Sequence, residues 1–127
     1  MDKNSYYKYM FLIAALWNWV IAIMFMLMPI LSPSTAADFG TEIPPTWYFV
    51  EGFFWFVFLF GLLFYATAKN LEKYHDLAII FVAEKVGIFI ISLVFFLIGD
   101  INIDAFVITV VDLIFGILFL EFFIKFE

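Results

Sequence analysis

Residues 77–98 read LAIIFVAEKVGIFIISLVFFLI, an apolar run in which Glu84 and Lys85 are the only ionisable side chains. Crossing the ~30 Å hydrocarbon core of a bilayer takes about 20 mostly apolar residues in a helix. Three further runs meet that requirement: residues 6–31, 46–68 and 105–126. All four runs are continuously apolar, and they exceed the roughly 10 residues of a membrane β-strand. We therefore predict an all-α membrane protein with four transmembrane helices.

The composition agrees with lipid as the solvent. Of the 127 residues, 67% are hydrophobic and 14% are charged. A water-soluble domain of this size has too much surface for its interior to hide so many apolar side chains. We expect one domain over residues 1–127, with almost nothing outside the bilayer.

The connections between the four runs are short. Residues 69–76 and 99–104 read as tight polar turns, and residues 32–45 read as an irregular loop that contains Pro33, Pro44 and Pro45. Short connections join antiparallel neighbours, so the sequence predicts an up-down-up-down bundle.

The lysines at the ends of the runs and in the connections give an orientation. They would all lie on one side of the membrane: Lys3, Lys8, Lys69, Lys73 and Lys125. The connections on the other side are acidic and contain no lysine: Asp38, Glu42, Asp100 and Asp104. Because positive residues are retained in the cytoplasm, we expect both termini there. Alternatively, the first run is a signal peptide cleaved near residues 34–37, although it is longer than the usual 7–15 apolar residues.

Several classes of function are excluded by residue types. The chain has no Cys, which rules out disulfides, thiolate metal sites and thiol redox chemistry. With no Arg and six Lys it has no basic surface for nucleic acid. His75 is the single histidine, so one chain cannot form an imidazole cluster. We expect no metal and no cofactor other than a bound lipid or quinone.

Function should depend on the polar side chains inside the runs: Asn18, Glu51, Glu84, Lys85 and Asp112. An ionisable group there costs at least a few kcal/mol, so it usually faces the protein interior with a partner or a task. Lys85 and Asp112 are the natural ion pair, with Asn18 as a hydrogen-bonding neighbour. Glu51 or Glu84, or both, would then be neutral part of the time and could bind a proton, a cation or a polar head group. In the alternative interpretation these side chains only hold helices together.

Several short segments carry a resemblance to a known family. They are ALWNW at residues 15–19 followed by Pro29, FGLLFY at residues 60–65 followed by a polar turn, Lys85, and DLIFG at residues 112–116. Together they resemble small bacterial DoxX-like membrane proteins of unassigned function, over most of the chain.

The resemblance implies a four-helix bundle in a bacterial inner membrane. Some relatives in this broad group are subunits associated with quinone-linked oxidoreductases. The resemblance carries over Asn18, Lys85 and Asp112 as matching polar positions. The tryptophans on either side of Asn18 and the presence of Glu84 beside Lys85 depart from it.

Three functions fit the sequence. The first is a non-catalytic membrane subunit or binder of a lipid- or quinone-like ligand, in a pocket lined by Glu51, Trp47, Tyr48, Trp55, Asn18 and Asp112. The second is an oligomeric transporter or channel in which Glu51, Glu84 and Lys85 relay protons or cations. The third is an enzyme on a lipid- or sterol-like substrate, with a carboxyl as general acid. The expected partners are membrane lipids and a homo-oligomer or a larger membrane complex.

Overall fold

The computed structural model describes residues 2–34 and 44–126, and these residues form helices and no strands. The α-helices are α1 (Lys3–Met26), α2 (Met28–Leu31), α3 (Tyr48–Lys69), α4 (Ala78–Leu97) and α5 (Ile103–Lys125), with a 3₁₀ turn at His75–Leu77. Four helical segments in the described ranges are long and apolar enough to cross a membrane: Lys3–Leu31, Tyr48–Lys69, His75–Leu97 and Ile103–Lys125. The all-α membrane fold with four helices is confirmed, and the chain is an integral membrane protein.

Local capping explains where the first and last long helices begin. The Asp2 carboxylate accepts a hydrogen bond from the Ser5 backbone N–H at 2.7 Å, so α1 begins earlier than the apolar run. That hydrogen bond also holds the pKa of Asp2 below its usual value. The Asn102 side chain accepts from the N–H groups of Asp104 and Ala105, at 3.1 and 3.2 Å, and so begins α5 ahead of the predicted residue 105.

The first membrane segment is interrupted where α1 gives way to α2. Pro29 has no N–H, so the helical hydrogen bond from residue 29 is missing and the ring crowds the preceding turn. The N–H groups of Leu31 and Ser32 donate to the carbonyls of Leu27 and Met28, at 2.9 and 3.0 Å. Helical hydrogen bonding therefore resumes within one turn of the interruption.

The chain divides into two compact units, each an antiparallel helix pair. The first helix pair contains α1, α2 and α3, and the second contains α4 and α5. The expectation of a single domain over residues 1–127 stays a prediction. The predicted loop, the cleavage region and two acidic residues of the orientation argument, Asp38 and Glu42, fall largely on residues 35–43, outside the described residues.

Aromatic rings and small residues pack the first helix pair. The Phe25 and Phe54 rings stack with centroids 4.9 Å apart, and further along the pair the Phe11 and Phe64 centroids are 6.5 Å apart. Between them the Trp19 indole lies over Gly61, where a Cβ atom would come within 2.5 Å of Nε1. The absence of a side chain at residue 61 is what makes room for Trp19.

Gly116 allows α5 to approach α4 closely near the middle of the second helix pair. A Cβ atom on Gly116 of α5 would lie 3.2 Å from the Lys85 Cβ atom of α4. The rings of Phe81 and Phe119 lie on one side of this level, with centroids 6.2 Å apart. Small residues allow membrane helices to approach in this way, and the approach brings the polar side chains of α4 and α5 together.

We predict that Gly61→Ala destabilises the first helix pair. The new methyl group would collide with the Trp19 indole, and such overpacking costs about 1–3 kcal/mol in a packed interior. The free energy of unfolding in detergent micelles measures the effect. Gly52→Ala is the matched control, because a Cβ atom there would meet nothing within 4 Å. Equal stability of the two variants would contradict the packing described for Trp19.

Candidate functional site

Lys85 and Asp112 form an ion pair between α4 and α5. The Lys85 Nζ donates to the Asp112 Oδ1 at 2.8 Å. The Lys85 residue is only 1% exposed, and the Asp112 side chain is 13% exposed. The pair expected from the sequence is therefore present, and each charge offsets the cost of removing the other from water.

Two residues of α5, Gly116 and Phe115, accommodate the Lys85 side chain. Gly116, one turn after Asp112, lets the backbone of α5 approach the stem of Lys85. The Phe115 ring, three residues after Asp112, has its centroid 5.9 Å from the Lys85 Nζ, within the range of a cation–π interaction. Phe115 is not among the residues predicted from the sequence, although its spacing from Asp112 places it on a neighbouring helical position.

Glu84 lies beside the ion pair without joining it through a hydrogen bond. Its Oε2 atom is 3.9 Å from the Lys85 Nζ, beyond hydrogen-bonding distance. That oxygen is buried and has no hydrogen-bond partner among the described residues. We call Glu84, Lys85 and Asp112 the central charge cluster; it holds two carboxyl groups and one ammonium.

Asn18 is buried in the first helix pair. Its side-chain amide donates to the backbone carbonyl of Val57 at 3.0 Å, which ties the middle of α1 to α3. Every residue has a backbone carbonyl group, so this hydrogen-bond partner of Asn18 could not be identified from residue types. The expectation that Asn18 also assists Lys85 and Asp112 stays a prediction.

The remaining candidates lie at the beginning of α3. Trp47, Tyr48 and Trp55 are three or four residues from Glu51, so the four side chains share one side of the helix, which we call the α3 face. The Glu51 Oε1 atom is buried and has no hydrogen-bond partner within the described residues. Tyr48 and Trp55 are 76% and 49% exposed, and the Trp55 ring stacks on Phe58 with centroids 5.6 Å apart.

The candidate residues lie at different depths along their own membrane segments. At a rise of 1.5 Å per residue, Asn18, Glu84, Lys85 and Asp112 lie within about 5 Å of the midpoints of their membrane segments. Glu51 lies about 11 Å from the midpoint of α3 by the same rise, in its first turn. Asn18 in the first helix pair and the central charge cluster in the second are each near the middle of their own segments, and Glu51 is near the end of α3 that lies at a membrane surface.

Neither the central charge cluster nor the α3 face has the set of ligand side chains that a metal centre needs. The described residues contain no group of three His, Cys, Asp or Glu side chains that could hold a metal ion. Comparison with protein-family models, with curated proteins and with solved structures finds no match for this chain.

We predict that Lys85→Met destabilises the second helix pair by about 3 kcal/mol, because it leaves the Asp112 carboxylate without its partner, and that Asp112→Leu is also destabilising but costs less, because Glu84 lies 3.9 Å from the Lys85 Nζ and can replace part of the interaction. The double variant should recover most of that loss, since two apolar side chains can replace a buried ion pair at little cost. A double-mutant cycle in micelles measures the coupling. Asp104→Asn, exposed in the first turn of α5, is the control. Additive losses from the two single changes would rule out the pairing.

Proposed function

We propose that this integral membrane protein is a non-catalytic binder of a lipid- or quinone-like amphiphile, alone or as the membrane subunit of a larger complex. The observation that carries the proposal is the Glu51 carboxyl group on the α3 face, with a buried oxygen that has no hydrogen-bond partner among the described residues. A polar head group that donates a hydrogen bond would satisfy that oxygen.

The position of Glu51 in α3 favours this role. It lies in the first turn of α3, at the end of the membrane segment. A carboxyl oxygen accepts hydrogen bonds from hydroxyl, phenol or amine groups. Glu51 would therefore hold the head group near the membrane surface.

The aromatic residues of the α3 face suit the apolar part of such a ligand. Trp55 stacks on Phe58 almost parallel, at 8°, and forms a flat apolar surface one turn deeper than Glu51. Tyr48 lies one turn nearer the surface and is largely exposed. Binding sites for small molecules commonly combine aromatic walls with a few polar anchors.

We further propose that this is a DoxX-like protein of a bacterial inner membrane. The helix ends that carry lysine would face the cytoplasm. In the first helix pair, α1 begins and α3 ends at the same side, because the two helices are antiparallel. This puts Lys3 and Lys8 on the side of Lys69. The α3 face, at the beginning of α3, would then lie toward the outer leaflet.

The proposal predicts that Glu51→Gln and Trp55→Ala each reduce ligand occupancy. Mass spectrometry of small molecules that copurify in mild detergent identifies a bound lipid or quinone, and quenching of tryptophan fluorescence by decylubiquinone tests quinone binding directly. We expect an affinity loss of about 10-fold for either change, equivalent to 1.4 kcal/mol.

Each variant has a matched control. Glu72→Gln removes an acidic group in the turn after α3, and Phe56→Ala removes an exposed ring from a different side of α3. Both should bind as the unchanged protein does. The proposal is overturned if the protein copurifies with no small molecule and decylubiquinone does not quench its tryptophan fluorescence.

A further inference from the structure

The central charge cluster holds more acidic groups than basic groups. Glu84 and Asp112 carry one carboxyl group each, and Lys85 supplies the single ammonium within 4 Å of both. With every group ionised the cluster has a net charge of −1, and with one proton added it is neutral. At mid-membrane depth a net charge is costly because water is absent, so the proton content of the cluster is a functional property.

The geometry identifies which carboxyl group exchanges the proton. Asp112 already receives a hydrogen bond from the Lys85 Nζ at 2.8 Å, so its carboxyl group has a cationic partner in direct contact. Glu84 is 3.9 Å from the same nitrogen, and its buried Oε2 has no hydrogen-bond partner in the described part of the chain. Of the two, Glu84 is the acid whose negative charge is less well compensated.

The charged groups that act on the Glu84 carboxyl group are those of the cluster itself, Lys85 and Asp112. Apart from the central charge cluster, α5 carries Asp104, Glu121 and Lys125, and α4 carries none. Glu121 follows Gly116, the residue opposite Lys85, by five residues, or about 7.5 Å along the axis, and Asp104 and Lys125 are further away. Within the second helix pair, Lys85 and Asp112 are the charged groups that Glu84 faces.

We propose that Glu84 is a proton-binding site whose occupancy is linked to the Lys85–Asp112 ion pair. Uptake forms an O–H bond on the Glu84 carboxylate with a proton delivered from water, and release returns it to water. Ionised Glu84 competes with Asp112 for the Lys85 ammonium, whereas protonated Glu84 leaves the ammonium to Asp112. The central charge cluster thereby alternates between a neutral state and a state of charge −1.

Infrared spectroscopy of the protein in phosphatidylcholine vesicles tests the proposal, because a protonated carboxyl group has a carbonyl band that a carboxylate lacks. We expect such a band at acidic and neutral pH, corresponding to one proton per chain and removed at alkaline pH. Glu84→Gln should abolish it. Asp104→Asn, which changes an exposed acid in the first turn of α5, should leave it in place.

The variant Asp112→Asn tests whether proton binding by Glu84 depends on the Lys85–Asp112 ion pair or belongs to an isolated buried acid. Without the Asp112 carboxylate, the Lys85 ammonium has only Glu84 as its acidic partner in the cluster, so Glu84 should ionise and its band should be lost at neutral pH. Circular dichroism shows whether each variant keeps its helices, and the isosteric amides minimise repacking. A band that survives Glu84→Gln, or a Glu84 band that Asp112→Asn does not change, would overturn the proposal.

Discussion

The hydrocarbon interior of a bilayer offers no water to a backbone amide or to a charged side chain, and the described parts of this chain obey that constraint. Helices satisfy the backbone within each segment, which is why four long runs of apolar residues become four helical segments. Where Pro29 removes a donor, helical hydrogen bonds resume within a turn. The same constraint brings the Asn18 amide to a carbonyl of α3.

For charged groups the constraint requires partners. Lys85 and Asp112 satisfy it by direct contact at 2.8 Å, with the Phe115 ring near the ammonium. Glu84 satisfies it less well, since the nearest ammonium is 3.9 Å away and already engaged by Asp112. An incompletely compensated acid at mid-membrane depth is rarely retained for stability alone, because an apolar side chain would serve the packing better.

The features that could be predicted from the sequence are those governed by length and charge. The membrane helices follow from the length of the apolar runs, and the partner of Lys85 follows from the shortage of positive charge near mid-membrane. The hydrogen bond from Asn18 to Val57 and the fit of Trp19 over Gly61 could not be predicted. They depend on rotamers and on the rotation of α3 against α1, which periodicity does not fix when nearly every side of a helix is apolar.

Glu51 and Glu84 lie at different depths in the membrane, and depth limits which ligand each carboxyl group can bind. Glu51 lies in the first turn of α3, near the membrane surface, among exposed aromatic rings, where an amphiphile can present a head group and bury its chain. Glu84 lies about 5 Å from the midpoint of its helix, a depth that lipid head groups do not normally reach. The proton needs no head group and no pocket, and its uptake removes the uncompensated charge directly. Two acids on different helix pairs are therefore suited to two different ligands, one amphiphilic and one as small as a proton.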